Sequence, residues 1–301
     1  MKPKVALTTG ENRSANVENA LDLIKDDIDL SKKKDVFIKV NFVDVHNQIC
    51  ATHVDAVRPL LKFIRERYDG KLRIGESHIF TDIPEAFKNY GYLETCKEFD
   101  AEIVDFKHDE WEMVQIFDAD FRPFEIHYSK TMLDCDYLIS VTPPKAHDAV
   151  LVSLAIKNVV MGGPSHTWDD KVKVHQGPGV MNLNLYLMAV KHLPDLNIID
   201  GFIGMEGDGP LWGEAVDWRV AAAGCDAVAV DSLIASMMGF PPESVGYLYY
   251  LAQKGYGAGD ISQMDVLGAD PDALRRTFRP HSRYEDQKKW YDERVTRYLG
   301  L

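Results

Sequence analysis

Short runs rich in β-branched and aromatic residues recur along this chain, each followed by a longer run with apolar residues at helical spacing. "KVALTT" precedes "NVENALDLIKDD", "VFIKVN" precedes "VDAVRPLLKFIRER", and "KLRIGES" precedes "IPEAFKNYGYLETCKEF". Strands that alternate with amphipathic helices bury their apolar faces as β-α-β units. The alternation therefore predicts an α/β fold, a mostly parallel sheet with helices on both faces, in one body or as two lobes with a cleft between them. Further strands are expected at 103–106, 137–141, 196–200, 220–223 and 265–267, and a β-hairpin excursion over 111–128, where the pattern shortens. A division near residue 130 gives an N-terminal lobe, 1–130, and a C-terminal lobe, 131–301, which carries most of the candidate site and ends in a charged helix. A single domain is the alternative.

With 46% hydrophobic residues the chain can fill a large core, and its 34 basic against 47 acidic side chains leave a net charge of −13. That balance argues against a nucleic-acid or anionic-membrane surface, both of which reward clustered positive charge. Cys50, Cys96, Cys135 and Cys225 are widely spaced. They supply neither a zinc pattern nor an iron–sulfur ligand run and read as reduced core thiols. "MKPKVALTTG" is unlike a secretory signal and no apolar run is long enough to cross a bilayer, so a cytoplasmic location is expected.

The stretch "TPPKAHDAVLVSLAIKNVVMGGPSHTWDDKVKVHQG" is too polar for its surroundings. Lys145 and His147 follow an expected strand, where α/β proteins place their sites. A helix over 148–161 would be apolar nearly all round, with Lys157 and Asn158 inside it. Two readings of Lys157 stay open: an ammonium held in a site, or a lysine that complements the helix C-terminus and reaches water past Gly162 and Gly163. Lys39 and Asn41 end the apolar run "VFIKVN", Thr52 and His53 follow in "THVDA", and Lys171, Lys173 and His175 lie in an expected loop. Asn41 as a turn residue and Thr52 as a helix cap are the plainer readings. Among the acids, Asp226 is placed to cap "AVAVDSLIASMMG", Asp231 is hard to explain as packing, and Asp200 and Asp208 lie in a glycine-rich stretch that matches no nucleotide-binding motif.

In this order, "IKVN", "THVDAV", "IGES", "PPKAHDAVLVSLAIKNVVMGG", "KVKVH", "IIDGFIGMEGDGPLWG", "AAAGCDAVAVDSLIASMMG" and "KGYGAGD" resemble the domain-of-unknown-function 362 family. The resemblance implies a site lined by Asn41, His53, Lys145, His147, Lys157, Asn158, His175 and Asp200. Many members carry an appended ferredoxin-like segment whose cysteines hold iron–sulfur clusters; the tail after residue 274 here has no cysteine. In site composition alone the chain is also similar to the nickel-pincer lactate racemases, two-lobed proteins whose cofactor lies among lysines and histidines.

Two functional expectations follow. One is an enzyme acting on a small carboxylate or phosphate, with Lys145, Lys157, His147 and His175 as catalytic groups and Lys39, Asn41, His53 and Asn158 as binding groups. His147, His175 and Asp200 are in this reading also candidate ligands for a divalent metal. The other is a non-catalytic binder of a cofactor, metal or redox partner. A homo-oligomer is compatible with both.

Overall fold

Alternate residues of the strands enter two different cores. Val36 and Ile38 pack on one side of the sheet and Phe37 on the other; Tyr137, Ile139 and Val141 likewise part from Leu138. A strand buried on both faces reads as a continuous apolar run, and the run 137–142 is buried throughout.

The computed structural model describes residues 2–77, 83–164 and 167–301. The strands are β1 (Lys4–Thr9), β2 (Asp35–Lys39), β3 (Lys71–Glu76), β4 (Glu102–Asp105), β5 (Trp111–Phe117), β6 (Pro123–Ser129), β7 (Tyr137–Thr142), β8 (Lys145–His147), β9 (Leu151–Ser153), β10 (Leu196–Glu206), β11 (Glu214–Gly224) and β12 (Asp265–Gly268). The helices are α1 (Arg13–Leu23), α2 (Val54–Arg65), α3 (Ile83–Asn89), α4 (Tyr92–Glu98), α5 (Lys130–Asp134), α6 (Ala155–Val160), α7 (Trp168–Val174), α8 (Gly177–Ala189), α9 (Ala227–Met237), α10 (Gly246–Gln253), α11 (Tyr284–Gln287) and α12 (Glu293–Leu299).

In the described residues one sheet runs β12-β1-β11-β10-β7-β2-β3-β4, with β8 attached to β10 and β9 to β8. β10, β7, β2, β3 and β4 pair in parallel, whereas β11 is antiparallel to both of its neighbours. Helices α1 to α4 cover one face and α6, α8, α9 and α10 the other. This is the expected α/β sheet. It is continuous across residue 130, because β7 lies between β2 and β10. The expected hairpin is the separate pair β5-β6.

Three local expectations are corrected. The helix expected over 148–161 is a β8-β9 hairpin followed by the shorter α6. His147 pairs with Leu151 and Lys145 with Ser153, and Leu151 at φ 66° cannot continue a helix. A short, wholly apolar segment has no periodicity by which to tell buried strand from buried helix. The loop expected around Lys171 and Lys173 is α7, started by a capping box between Thr167 and Asp170. The charged tail is two short helices; Asp292 caps the second through Arg294 N at 2.8 Å, and Gln287 of the first donates to His147 O at 2.5 Å. Among the described residues no helix is long and apolar enough to cross a membrane.

Candidate functional site

β2, β3 and β7 are parallel neighbours or next neighbours, so their carboxyl ends lie side by side. There the chain leaves the sheet, and in open α/β sheets that edge is where ligands bind. β2 ends on Lys39 and β3 on Glu76. Lys39 Nζ lies 2.6 Å from Glu76 Oε1, with the side chains 1% and 4% exposed. Glu76 also accepts from Ser77 N at 2.7 Å and Phe42 N at 2.6 Å. Lys39 donates further to Val40 O at 2.6 Å and Asn158 Oδ1 at 3.2 Å. Burial pulls the Lys39 amine below its ordinary value, against the attraction of Glu76. A Cβ on Gly162 would stand 2.2 Å from Lys39 Cε, so glycine there lets the lysine lie flat under α6.

α6 brings the next groups. Its Ala155 and Ile156 N–H groups donate to Asp231 Oδ1 and Oδ2 at 2.9 and 3.0 Å, and Asp231 is fully buried in α9. Asp231 is therefore the cap of a helix distant in sequence, and burial pushes its carboxyl up to about 7 despite the two donors. Asp231→Ala is expected to leave both N–H groups unpaired and to cost about 2–4 kcal/mol in chemical denaturation. Asp231→Asn, which keeps an acceptor, should cost less; equal losses would contradict the capping role.

Lys157 on α6 meets His147 on β8, with Nζ 2.8 Å from Nε2. The other ring nitrogen, Nδ1, lies 2.9 Å from Asp148 Oδ1 and 3.0 Å from Ala149 N. When Lys157 is charged, Nε2 accepts from it and a neutral imidazole carries its proton on Nδ1, facing the carboxylate and giving up the bond from Ala149 N–H; when Lys157 is neutral, Nε2–H donates to it and Nδ1 accepts from Ala149 N. His147 is neutral at ordinary pH: burial, and then the Lys157 charge, lower it to about 3. Burial lowers Lys157 to about 7, with Asp148 pulling it back up and Lys145 and Lys171 pushing it further down. Burial raises Asp148, but the bond from His147 and the nearby cations outweigh it and hold the carboxyl below its usual range.

Lys171 on α7 donates to Ser77 O at 2.7 Å and Ser77 Oγ at 3.2 Å. Lys145, fully buried, bonds Asn41 Oδ1, and Cys50 O at 3.2 Å. Burial brings both lysines to about 8. Among the described residues, Lys145, Lys157 and Lys171 have no carboxylate within ion-pair distance, whereas Glu76 is already taken by Lys39.

The cavity between these elements measures about 400 Å³. Of the residues expected at a site, Lys39, Asn41, His147, Lys157, Asn158 and His175 are on its wall, joined by Glu76, Asp148 and Lys171. Several expectations change. Lys145 and His147, expected just past a strand, form β8 themselves; both are buried, and Lys145 stands behind Asn41. Asn158 is spent on Lys39 O and Ser140 Oγ at 3.1 and 3.0 Å, so it fixes Lys39 and has no free group for a ligand. His53 and Asp200 line a separate cavity of about 180 Å³, where Asp200 pairs with Arg13 at 3.1 Å and His53 caps α2. His53, and not Thr52, is that cap; Thr52 Oγ1 accepts from Asn41 N at 2.8 Å. His147, His175 and Asp200 thus do not converge, and among the described residues no three His, Cys, Asp or Glu side chains gather as metal ligands. Asp208 ties the tail by accepting from Ser282 N at 2.9 Å, and Asp226 caps α9 as expected.

Glu76 and Asp148 were not singled out from the sequence. The available signal for Glu76 was a charge ending an apolar strand, the same signal that marked Lys39. Asp148 offered none, since its partner is fixed by the β8-β9 turn.

The family model described as "Domain of unknown function (DUF362)" matches residues 36–236, more than half of the chain. The Thylakoid-associated protein sll1697 of Synechocystis sp. (strain ATCC 27184 / PCC 6803 / Kazusa) is 24% identical over 233 residues, 76% of this chain and 66% of that protein. The lactate racemase apoprotein from Thermoanaerobacterium thermosaccharolyticum superposes with a TM-score of 0.48 at 14% identity, over 74% of this chain and 57% of that one. The chain spans less than two thirds of either protein's length.

Proposed function

The chain belongs to the domain-of-unknown-function 362 family, and from that premise we propose that it is an enzyme acting on a small anionic molecule, a carboxylate or phosphate, by proton transfer at Lys157 and His147. The observation that carries this reading is the convergence of Lys157 and Lys171, neither with a carboxylate partner among the described residues, on one cavity that also holds the Asp148–His147–Lys157 chain. An ammonium kept from water without a counter-ion is costly, and an anionic ligand supplies the missing charge. Lys171 and Lys157 hold the anion. Lys145 occupies Asn41 Oδ1, which leaves the Asn41 amide N–H groups as donors to the bound molecule. Lys157, near neutrality in its proton affinity, gives or takes the proton, and His147, oriented by Asp148, passes it on. At about 400 Å³ the space suits a small metabolite.

A thermal-shift screen of carboxylates and phosphates tests binding, and NMR of each hit in deuterated buffer tests proton transfer. Stabilising anions are expected, with the shift lost in Lys171→Met. Deuterium incorporation or conversion of a hit is expected, and should be lost in His147→Ala with binding retained. Hits that bind tightly and neither exchange nor convert would favour a non-catalytic carrier. Anions that bind Lys171→Met and Lys157→Met as tightly as the parent would remove the site itself.

A further inference from the structure

A second cavity, of about 510 Å³, lies between α9, α10 and the loop "GYGAGD", and shares no wall residue with the cavity of Lys157. The loop is drawn in by Asp226, which accepts from Ala229 N at 2.9 Å and Ala258 N at 3.0 Å. A Cβ on Gly257 would lie 2.2 Å from Asp226 Oδ1, so only glycine lets the loop approach closely enough to form this wall.

Ser232, inside α9, lines the cavity; it is fully buried, and its Oγ has no hydrogen-bond partner among the described residues. A helical serine ordinarily returns its hydroxyl to the carbonyl four residues back, and this one does not. A buried unpaired hydroxyl is unfavourable until something in the cavity bonds to it. Glu243 and Asp260 are also on the wall, which holds no Lys, Arg or His, although Lys2, bonded to Ser262 O at 2.8 Å, lies near Asp260 outside it. Glu243 has no ion pair among the described residues; Asp260 accepts from Ser262 N at 2.9 Å on one oxygen and, at 3.5 Å, from Gln263 Nε2 on the other. Leu248, Ala252 and Ile261 supply apolar surface, and the Tyr249 ring a face that attracts cations.

We propose that this cavity is a second ligand site, for a small organic cation: a primary amine or guanidine with an apolar body and a polar atom at its far end. Glu243 and Asp260 take the positive charge, Tyr249 and the aliphatic wall take the body, and Ser232 Oγ bonds the far polar atom. The site is independent of the anion chemistry at Lys157.

Tyramine, with its ammonium, ring and phenol, is the probe, and 4-hydroxyphenylacetate its oppositely charged counterpart. Calorimetry on the full chain is expected to show tyramine binding and no 4-hydroxyphenylacetate binding at this site. Glu243→Gln, an exposed and structurally mild change, should weaken tyramine by about tenfold. Ser232→Ala should weaken it similarly while the free protein keeps or gains thermal stability, because an unpaired hydroxyl has been removed. Lys157→Met should leave the affinity as it was. No tyramine binding at millimolar concentration, equal binding of the anion here, or parental affinity in both Glu243→Gln and Ser232→Ala would overturn the proposal.

Discussion

Glu76→Ala is expected to destabilise the protein by about 3–5 kcal/mol, on the order of 10 °C in Tm, the largest single effect on stability foreseen here. The loss comes less from the ion pair than from what remains. Lys39, 1% exposed, would keep its ammonium at the floor of the sheet edge without a counter-charge, and Phe42 N and Ser77 N would lose their acceptors. Removing one partner of a buried pair is far more costly than removing both, so Lys39→Met with Glu76→Leu should recover most of the loss. Denaturant titrations of the parent, the two single variants and the double variant measure this. Additive losses, or a Glu76→Ala cost below about 1 kcal/mol, would mean that the pair is not the clamp described.

Lys157→Met is expected to weaken anion binding by about 30-fold or more, and to stabilise the free protein by roughly 1–3 kcal/mol at pH 6. Both effects follow from a lysine lowered from 10.5 to about 7. Between those values the unfolded chain still holds the proton and the folded chain has released it. Stability from this group therefore rises with pH across about 7 to 10.5, and below 7 the folded state bears the whole penalty of a buried charge. The methionine variant should gain most at pH 6 and nothing above 10.5. Anion binding runs the opposite way: it needs the protons on Lys157 and Lys171, so affinity is highest below 7 and falls as pH rises through about 8. Melting curves from pH 6 to 10, with and without an anion from the screen, separate the two trends. Parallel pH profiles for parent and variant would show that Lys157 reaches solvent and carries its ordinary charge.

Which residues were legible in advance depended on how local their cause was. Lys39 and Lys157 stand out because a charged side chain in an apolar run has few explanations, and both are at the cavity. His53, in "THVDA", and Asp200, in a glycine-rich stretch, are site residues by the family resemblance but belong to the Arg13 pocket, because nothing in their own segments records which neighbour β10 brings. Asp231 resisted explanation for the same reason: its partners, Ala155 N and Ile156 N, are about 75 positions away and meet it only when α6 packs on α9. Asn158, expected to orient a ligand, is instead consumed by Lys39 across 119 positions.

The alternation of strand and helix runs by itself determined an α/β sheet with helices on both faces, since side-chain periodicity and the need to bury one face of each element act within ten to twenty residues. The order of the strands, with β7 between β2 and β10, was decided only in three dimensions. That order gathers Lys39, Glu76, His147 and Lys157 at one edge and sends Asp200 to another pocket. Burial and the charges met across the sheet, rather than residue type, then set which lysines lose their protons near neutrality.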